Sequence, residues 1–268
     1  MMNAEATTMK DRAPHPVGLI SRAVFIETMR RREIYVLLIL ALVFLLGILV
    51  MNILGIENPA TGTFLLNLGM SMSYFFALLL TLISASRQIP SEMENRTIYP
   101  LLAKPLKRSH LYLGKWAAVS LSGFCILVVL LTLSWFSIPK MESYHSGVLV
   151  QAVVLYFISM FLLASLAMLF SLLMPKGMNL VISAIIVFGG SRITALLRAR
   201  SAGSEFGKIV KWISSYIPDF SKLNLTTRYT DGIVPVGSGE FLGLILYGVL
   251  FTIVFIITGA TIFQRRSL

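Results

Sequence analysis

The residues of this chain that could do chemistry are few, and their positions rule most chemistry out. The three histidines, His15, His110 and His145, and all twelve Asp and Glu residues fall outside the long apolar runs, with Glu33 at the edge of the first. There are no paired carboxylates, no His-Glu-x-x-His spacing and no cysteine cluster, so acid/base and metal-assisted catalysis have no candidates. Gly190-Ser191 offers a hydroxyl, but no apolar run supplies a histidine to activate it. Gly-Lys occurs at Gly114-Lys115 and Gly207-Lys208, where Trp116 and Ile209 follow and the upstream glycine of a phosphate-binding loop is missing. Cys125 is the single cysteine, which excludes a disulfide within one chain. No catalytic, metal or cofactor site is expected here.

Binding chemistry remains, in three places. The stretch PSEMENRTIYPLLAKPLKR, residues 90–108, mixes Glu92, Glu94 and Arg96 with Ile98, Tyr99, Leu101 and Leu102. Ser91 followed by Glu94 has the spacing of a capping box, which satisfies the free donors of a helix start. Met93, Thr97 and Leu101 fall on one less polar face, and Pro100 and Pro105 limit the helix. A mere orientation signal needs only lysine and arginine, whereas a half-apolar, half-charged helix outside the membrane wants a protein partner. Secondly, Ile209, Trp212, Ile213 and Tyr216 recur at i, i+3, i+4 and i+7 with Lys208 and Lys211 off that face, predicting an interfacial or re-entrant helix. The plainer alternative is an external helix packed on the bundle without a role in transport. Thirdly, Arg192 is the one ionisable group clearly inside an apolar run, where a charge costs about 2.5–3.5 kcal/mol on insertion scales. It either snorkels outward or lines a pathway or helix contact.

The elements that carry these residues are membrane helices. Of 268 residues 56% are hydrophobic and 13% charged, with a mean hydropathy of +0.82. Six continuous apolar runs, 34–54, 64–86, 116–137, 148–174, 179–197 and 241–263, are long enough to cross a bilayer, and their lack of alternation excludes a barrel. The first run reads as a retained span rather than a cleaved signal. Val17 to Arg32 is amphipathic, with Leu19, Ala23 and Ile26 along one side, and predicts a helix lying in the interface, or alternatively a solvated one. Only Pro175 to Met178 separate the fourth and fifth runs, so those helices pair antiparallel. The net charge of +11 is a matter of topology rather than of nucleic acid. With the N-terminus inside, fifteen basic residues lie on internal segments against seven outside, which puts both termini in the cytoplasm.

The run from Glu92 to Arg108, followed by Leu113-Gly114-Lys115, resembles the inner loop of ABC transporter permeases of the type-2 exporter family, and the ending from Ile262 to Leu268 is similar to that family's C-terminus. Arg96 stands where many members have Gly before the Thr, as in what looks like the subgroup related to nitrous-oxide-reductase maturation permeases. The resemblance implies an all-α membrane protein of six transmembrane helices, with an N-terminal interfacial segment (1–33) and one permease domain (34–268). It implies a cytoplasmic coupling helix between spans 2 and 3, with Glu92, Glu94, Arg96 and Thr97 contacting a separate ABC ATPase subunit that holds ATP and magnesium. Two permease copies, as a homodimer more than a heterodimer, and two ATPases would form an exporter in a prokaryotic inner membrane. The helix around Trp212 would close the exit. An ion-coupled carrier and a non-transporting scaffold are the competing readings, and no residue pattern specifies the cargo.

Overall fold

Apolar runs long enough to cross a bilayer leave every backbone polar group to be satisfied inside the helix. A computed structural model describes residues 16–54, 59–91, 108–137, 146–193, 195, 217–231 and 234–265. The elements are α1 (Pro16–Met29), α2 (Arg32–Ile53), α3 (Pro59–Arg87), α4 (Arg108–Ser137), α5 (Ser146–Leu173) and α6 (Lys176–Ala184). A π-helical turn at Ile185–Gly189 carries α6 on to Ile193. After it come a 3-10 turn (Phe220–Leu223), α7 (Thr226–Thr230) and α8 (Ser238–Arg265). There is no strand among the described residues. Six helices, α2 to α6 and α8, are long and apolar enough to cross a membrane.

Helices α3, α4 and α5 pack on one another at the centre, with α2 laid against α3 and α4, α6 against α3 and α5, and α8 against α5 and α4. The apolar windows of α3 and α5 are 67% buried and those of α6 and α8 11%, so the outer helices present most of their surface to lipid or to another protein. Lipid is as apolar as leucine, so association must come from close packing and from hydrogen bonds rather than from the hydrophobic effect. Both are present. A Cβ on Gly123 would lie 2.1 Å from Thr81 Oγ1, which shows how tightly α4 meets α3. Ser73 Oγ, besides bonding Gly69 O within α3, reaches Leu130 O of α4 at 3.2 Å. The Gly69 and Ser73 pair thus marks a helix contact, whereas Gly190 has nothing within 4 Å and Gly189 meets only Ile193 of its own helix.

The α5–α6 hairpin forms as its short linker requires, with Met174 and Pro175 between the helices. Asn179 Nδ2 donates to Ala167 O at 2.8 Å and its Oδ1 accepts from Ser183 at 3.0 Å, a fully buried pair that holds α6 to α5.

Helix α1 forms within the amphipathic stretch but stops at Met29, before the expected Arg32, and Arg31 is extended. Its orientation leaves the expected apolar side exposed. The side packed on α4 is Ile20, Val24 and Thr28, while Leu19, Ala23 and Ile26 are exposed. Thr28, polar by type, is tolerated inside because its hydroxyl bonds Val24 O at 2.7 Å. The crossing point is Gly114, where a Cβ would sit 2.8 Å from Ile20 Cγ2 and 3.2 Å from Val17 O. Gly114→Leu should therefore lift α1 off α4 at about 1–3 kcal/mol, raising hydrogen exchange over residues 17–29 by one to two orders of magnitude. Unchanged exchange there would refute the crossing.

Candidate functional site: the two ends of the bundle

At the end of the bundle bearing Arg87, Arg108, Lys176 and Arg265, called here the basic end, two core helices lead into the segment of mixed polarity. Helix α3 stops at Arg87, and buried Gln88 and Ile89 make the turn. The Ser91 hydroxyl donates to Arg87 O at 2.6 Å. Pro90 and Ser91 are already helical, so a new helix opens directly after this turn as expected, with Pro90 rather than Ser91 at its first position. Glu92, Glu94, Arg96 and Thr97 lie outside the described residues.

Helix α4 resumes at Arg108, eight residues ahead of the expected span start at 116. Leu111, Tyr112, Gly114 and Lys115 are therefore helical and buried, with Ser109 one residue inside the first turn. Two notches allow this. Gly114 receives α1, and Gly259 of α8 receives the Tyr112 ring, whose hydroxyl would be 2.0 Å from a Cβ there. Glu33 of α2 pairs with Arg87 of α3, and Glu27 pairs with Arg31 at 2.8 Å. The two helices that enter and leave residues 92–107 are thus fixed to α1, α2 and α8.

At the far end, the chain between α6 and α8 turns back into the bundle. Residues Ile209, Trp212, Ile213 and Tyr216 lie outside the described residues, but the stretch that follows them is well placed. Phe220, Leu223, Leu225 and Thr226 are buried, and Ser221, Lys222, Asn224 and Thr227 are exposed. The Asp219 carboxylate caps the 3-10 turn, accepting from Ser221 N at 3.1 Å and Ser221 Oγ at 2.7 Å. Tyr247 of α8 donates its ring to Lys222 Nζ at 5.1 Å and accepts Asp219 N–H at 2.8 Å. Asn224 Oδ1 accepts from Thr226 N at 2.9 Å and Thr226 Oγ1 at 2.7 Å, and the Tyr156 hydroxyl of α5 bonds Thr226 Oγ1. Tyr156 stacks on Tyr74 of α3 at 4.3 Å, and Tyr74 donates to Ser159 at 3.0 Å.

Depth gives this arrangement its meaning. Leu223 packs at Gly248, seven residues below Phe241, or about 10 Å along α8 from its first apolar turn. Nearer the end, the Gln151 amide brackets the Val236 backbone, donating to its O and accepting from its N–H, both at 2.9 Å. Non-helical backbone at such depth is tolerated only inside protein or beside a water-filled cavity. Ser221, Lys222, Asn224 and Thr227 form the exposed polar side of this stretch.

Arg192 is exposed in the last described turn of the α6 helix, sixteen residues or about 24 Å from Lys176. It does not meet the Tyr156–Asn224 cluster in any described contact. Sequence reasoning passed over Tyr74, Gln151, Tyr156, Asn224 and Thr226. A signal was available: an Asn two residues before a Thr in a loop is an Asx-turn pattern, and Tyr74, Gln151 and Tyr156 are polar groups within apolar runs.

A search of curated proteins finds no match to this chain. A family model described as ABC-2 family transporter protein matches residues 51–260, a stretch running from the end of α2 into α8. Six apolar helices on an all-helical frame are what such a membrane component requires. The chain belongs to the ABC-2 family of transporter proteins.

Proposed function

We propose that this permease component works as an exporter driven by a separate ABC ATPase docked at the basic end, with both termini cytoplasmic. The observation that carries the reading is the bracketing of residues 92–107 by α3 and α4, two central helices of the core. A push on that segment passes directly into the packed centre, and through Gly114 into α1. Glu92, Glu94, Arg96 and Thr97 are assigned to the ATPase contact. ATP and magnesium belong to the ATPase, since this chain has no phosphate-binding loop.

A vestibule lined by Ser221, Lys222, Asn224 and Thr227 needs an opposite wall, which this reading gives to a second copy of the chain in a homodimer. The helix expected around Trp212, next in sequence to the lid proposed for residues 217–231, is assigned to closing the exit. An ion-coupled carrier gains no support, because the interiors of the spans hold no acidic residue. The setting proposed is a prokaryotic inner membrane, and the Arg96 variant of the motif supports the maturation-permease subgroup.

The test is capture of the ATPase. The chain should co-purify with an ABC ATPase, and Glu92→Ala with Glu94→Ala should lower the affinity of that complex at least tenfold without changing thermal unfolding of the bundle. Unchanged affinity in the double variant would remove the coupling assignment.

A further inference from the structure

Charges are unevenly matched where the chain enters its first span. From Pro16 to Glu33 it carries Arg22, Glu27, Arg30, Arg31, Arg32 and Glu33. Glu27 is paired with Arg31 at 2.8 Å and Glu33 with Arg87 of α3. Arg22, Arg30 and Arg32 are exposed and have no ion pair among the described residues. Two of them share a helix face with apolar side chains. Leu19, Arg22, Ala23, Ile26 and Arg30 recur at i, i+3, i+4, i+7 and i+11, opposite the Ile20, Val24 and Thr28 side that packs on α4. Leu19 is 53% and Ile26 41% exposed.

The level of this face is fixed at both ends of α1. Only Arg30 and Arg31 separate α1 from α2, whose 22 residues reach about 33 Å and so cross a hydrocarbon core of roughly 30 Å from Arg32 onward. At the other end Val17 and Ile20 sit on Gly114, about 9 Å along α4 from its start at Arg108. A helix held this close to the start of a span lies within reach of headgroups. Water is a poor partner for Leu19 and Ile26, and hydrocarbon is a poor partner for Arg22 and Arg30. The boundary between the two suits both.

We infer that this outer face of α1, together with Arg32, binds anionic phospholipid of the leaflet at the basic end. Leu19, Ala23 and Ile26 enter between the acyl chains, and Arg22, Arg30 and Arg32 hold headgroup phosphates. A zwitterionic headgroup presents the same phosphate with its charge cancelled by the choline, so the surface selects lipid of net negative charge. Because the opposite side of α1 lies on Gly114 of α4, lipid gripping the outer face also keeps α1 seated on the core. The binding needs only the span that begins at Arg32 and is independent of where an ATPase docks.

The test titrates phosphatidylglycerol, and separately phosphatidylcholine, into detergent micelles holding the full chain, and reads hydrogen exchange over residues 17–29. Phosphatidylglycerol should slow that exchange saturably, and phosphatidylcholine at equal mole fraction should not. The midpoint should rise about fivefold for each of Arg22→Gln, Arg30→Gln and Arg32→Gln and about a hundredfold for all three, with thermal unfolding in lipid-free detergent unchanged. Arg22→Lys, Arg30→Lys and Arg32→Lys together should keep the parent midpoint, which a purely structural role of the arginines would not allow. Leu19→Ser with Ile26→Ser should weaken binding at least fivefold. Glycerol phosphate, which carries the phosphate without acyl chains, should not compete. An equal response to phosphatidylcholine, or a midpoint unmoved by the triple glutamine variant, would overturn the anionic selectivity. Displacement by glycerol phosphate, or a parent-like midpoint in the double serine variant, would make this a site for a soluble anion and overturn the leaflet as its occupant.

Discussion

Gly248→Ala should lower the thermal midpoint of the bundle by about 4–8 °C, the equivalent of about 2 kcal/mol in a chain of this size. The added methyl would lie 2.2 Å from Ile158 Cγ2 and 3.7 Å from Leu223 Cδ1. Ile158 cannot swing away at low cost, because a β-branched side chain on a helix has one favoured χ1. Helices α5 and α8 must therefore separate, and the lid residue Leu223 moves with them. Two companions make the result specific. Ile158→Ala removes the obstructing methyl, so the double variant should be more stable than the sum of its single changes predicts. Gly243→Ala, five residues away on the same helix with nothing within 4 Å of its Cβ, should be neutral or mildly stabilising by helix propensity. A Gly248→Ala protein as stable as the parent would mean that the α5–α8 contact does not set the packing of this end.

The six helices were legible because membrane helices are written in composition. A run of about 20 apolar residues has one structural solution in lipid, and no tertiary contact is needed to see it. Their ends were not. Residues 108–115 lie ahead of the apolar run that starts at 116, yet Leu111, Tyr112 and Lys115 are buried because Gly114 and Gly259 accept α1 and the Tyr112 ring. Those notches exist only once the partner helices are in place. The same limit hid which side of α1 meets α4. Leu19, Ala23 and Ile26 are an apolar face, but the core takes Ile20 and Val24, and only the position of α4 decides between two apolar sides. The helix start around Ser91 was legible from spacing, since Pro90 and Ser91 are helical, but that its hydroxyl turns back to Arg87 O was not. The lid was hidden for a different reason: Asn224, Thr226, Tyr156 and Tyr74 are up to 152 residues apart in sequence and meet only in the fold.

Asn224→Ala should release that lid, raising hydrogen exchange over residues 219–231 by one to two orders of magnitude, while Tyr156→Phe should raise it less than about fivefold. The asymmetry follows from what each change leaves unsatisfied. Without the Asn224 amide oxygen, the Thr226 N–H loses its acceptor at 2.9 Å in a residue that is 2% exposed, so a buried backbone donor is stranded. Without the Tyr156 hydroxyl, Thr226 Oγ1 still donates to Asn224 at 2.7 Å, and a phenyl ring keeps the stacking on Tyr74. Exchange over residues 17–29 of α1 should stay unchanged in both variants, and the partner ATPase should still be captured under the proposed docking at the basic end, because residues 217–231 and the helix ends at Arg87 and Arg108 lie at opposite ends of the bundle. Equal release by the two variants would make Tyr156 the anchor and the Asx turn incidental. Loss of ATPase capture in Asn224→Ala would mean that the two ends are coupled even at rest, through the stacked Tyr74 and Tyr156 that join α3 to α5.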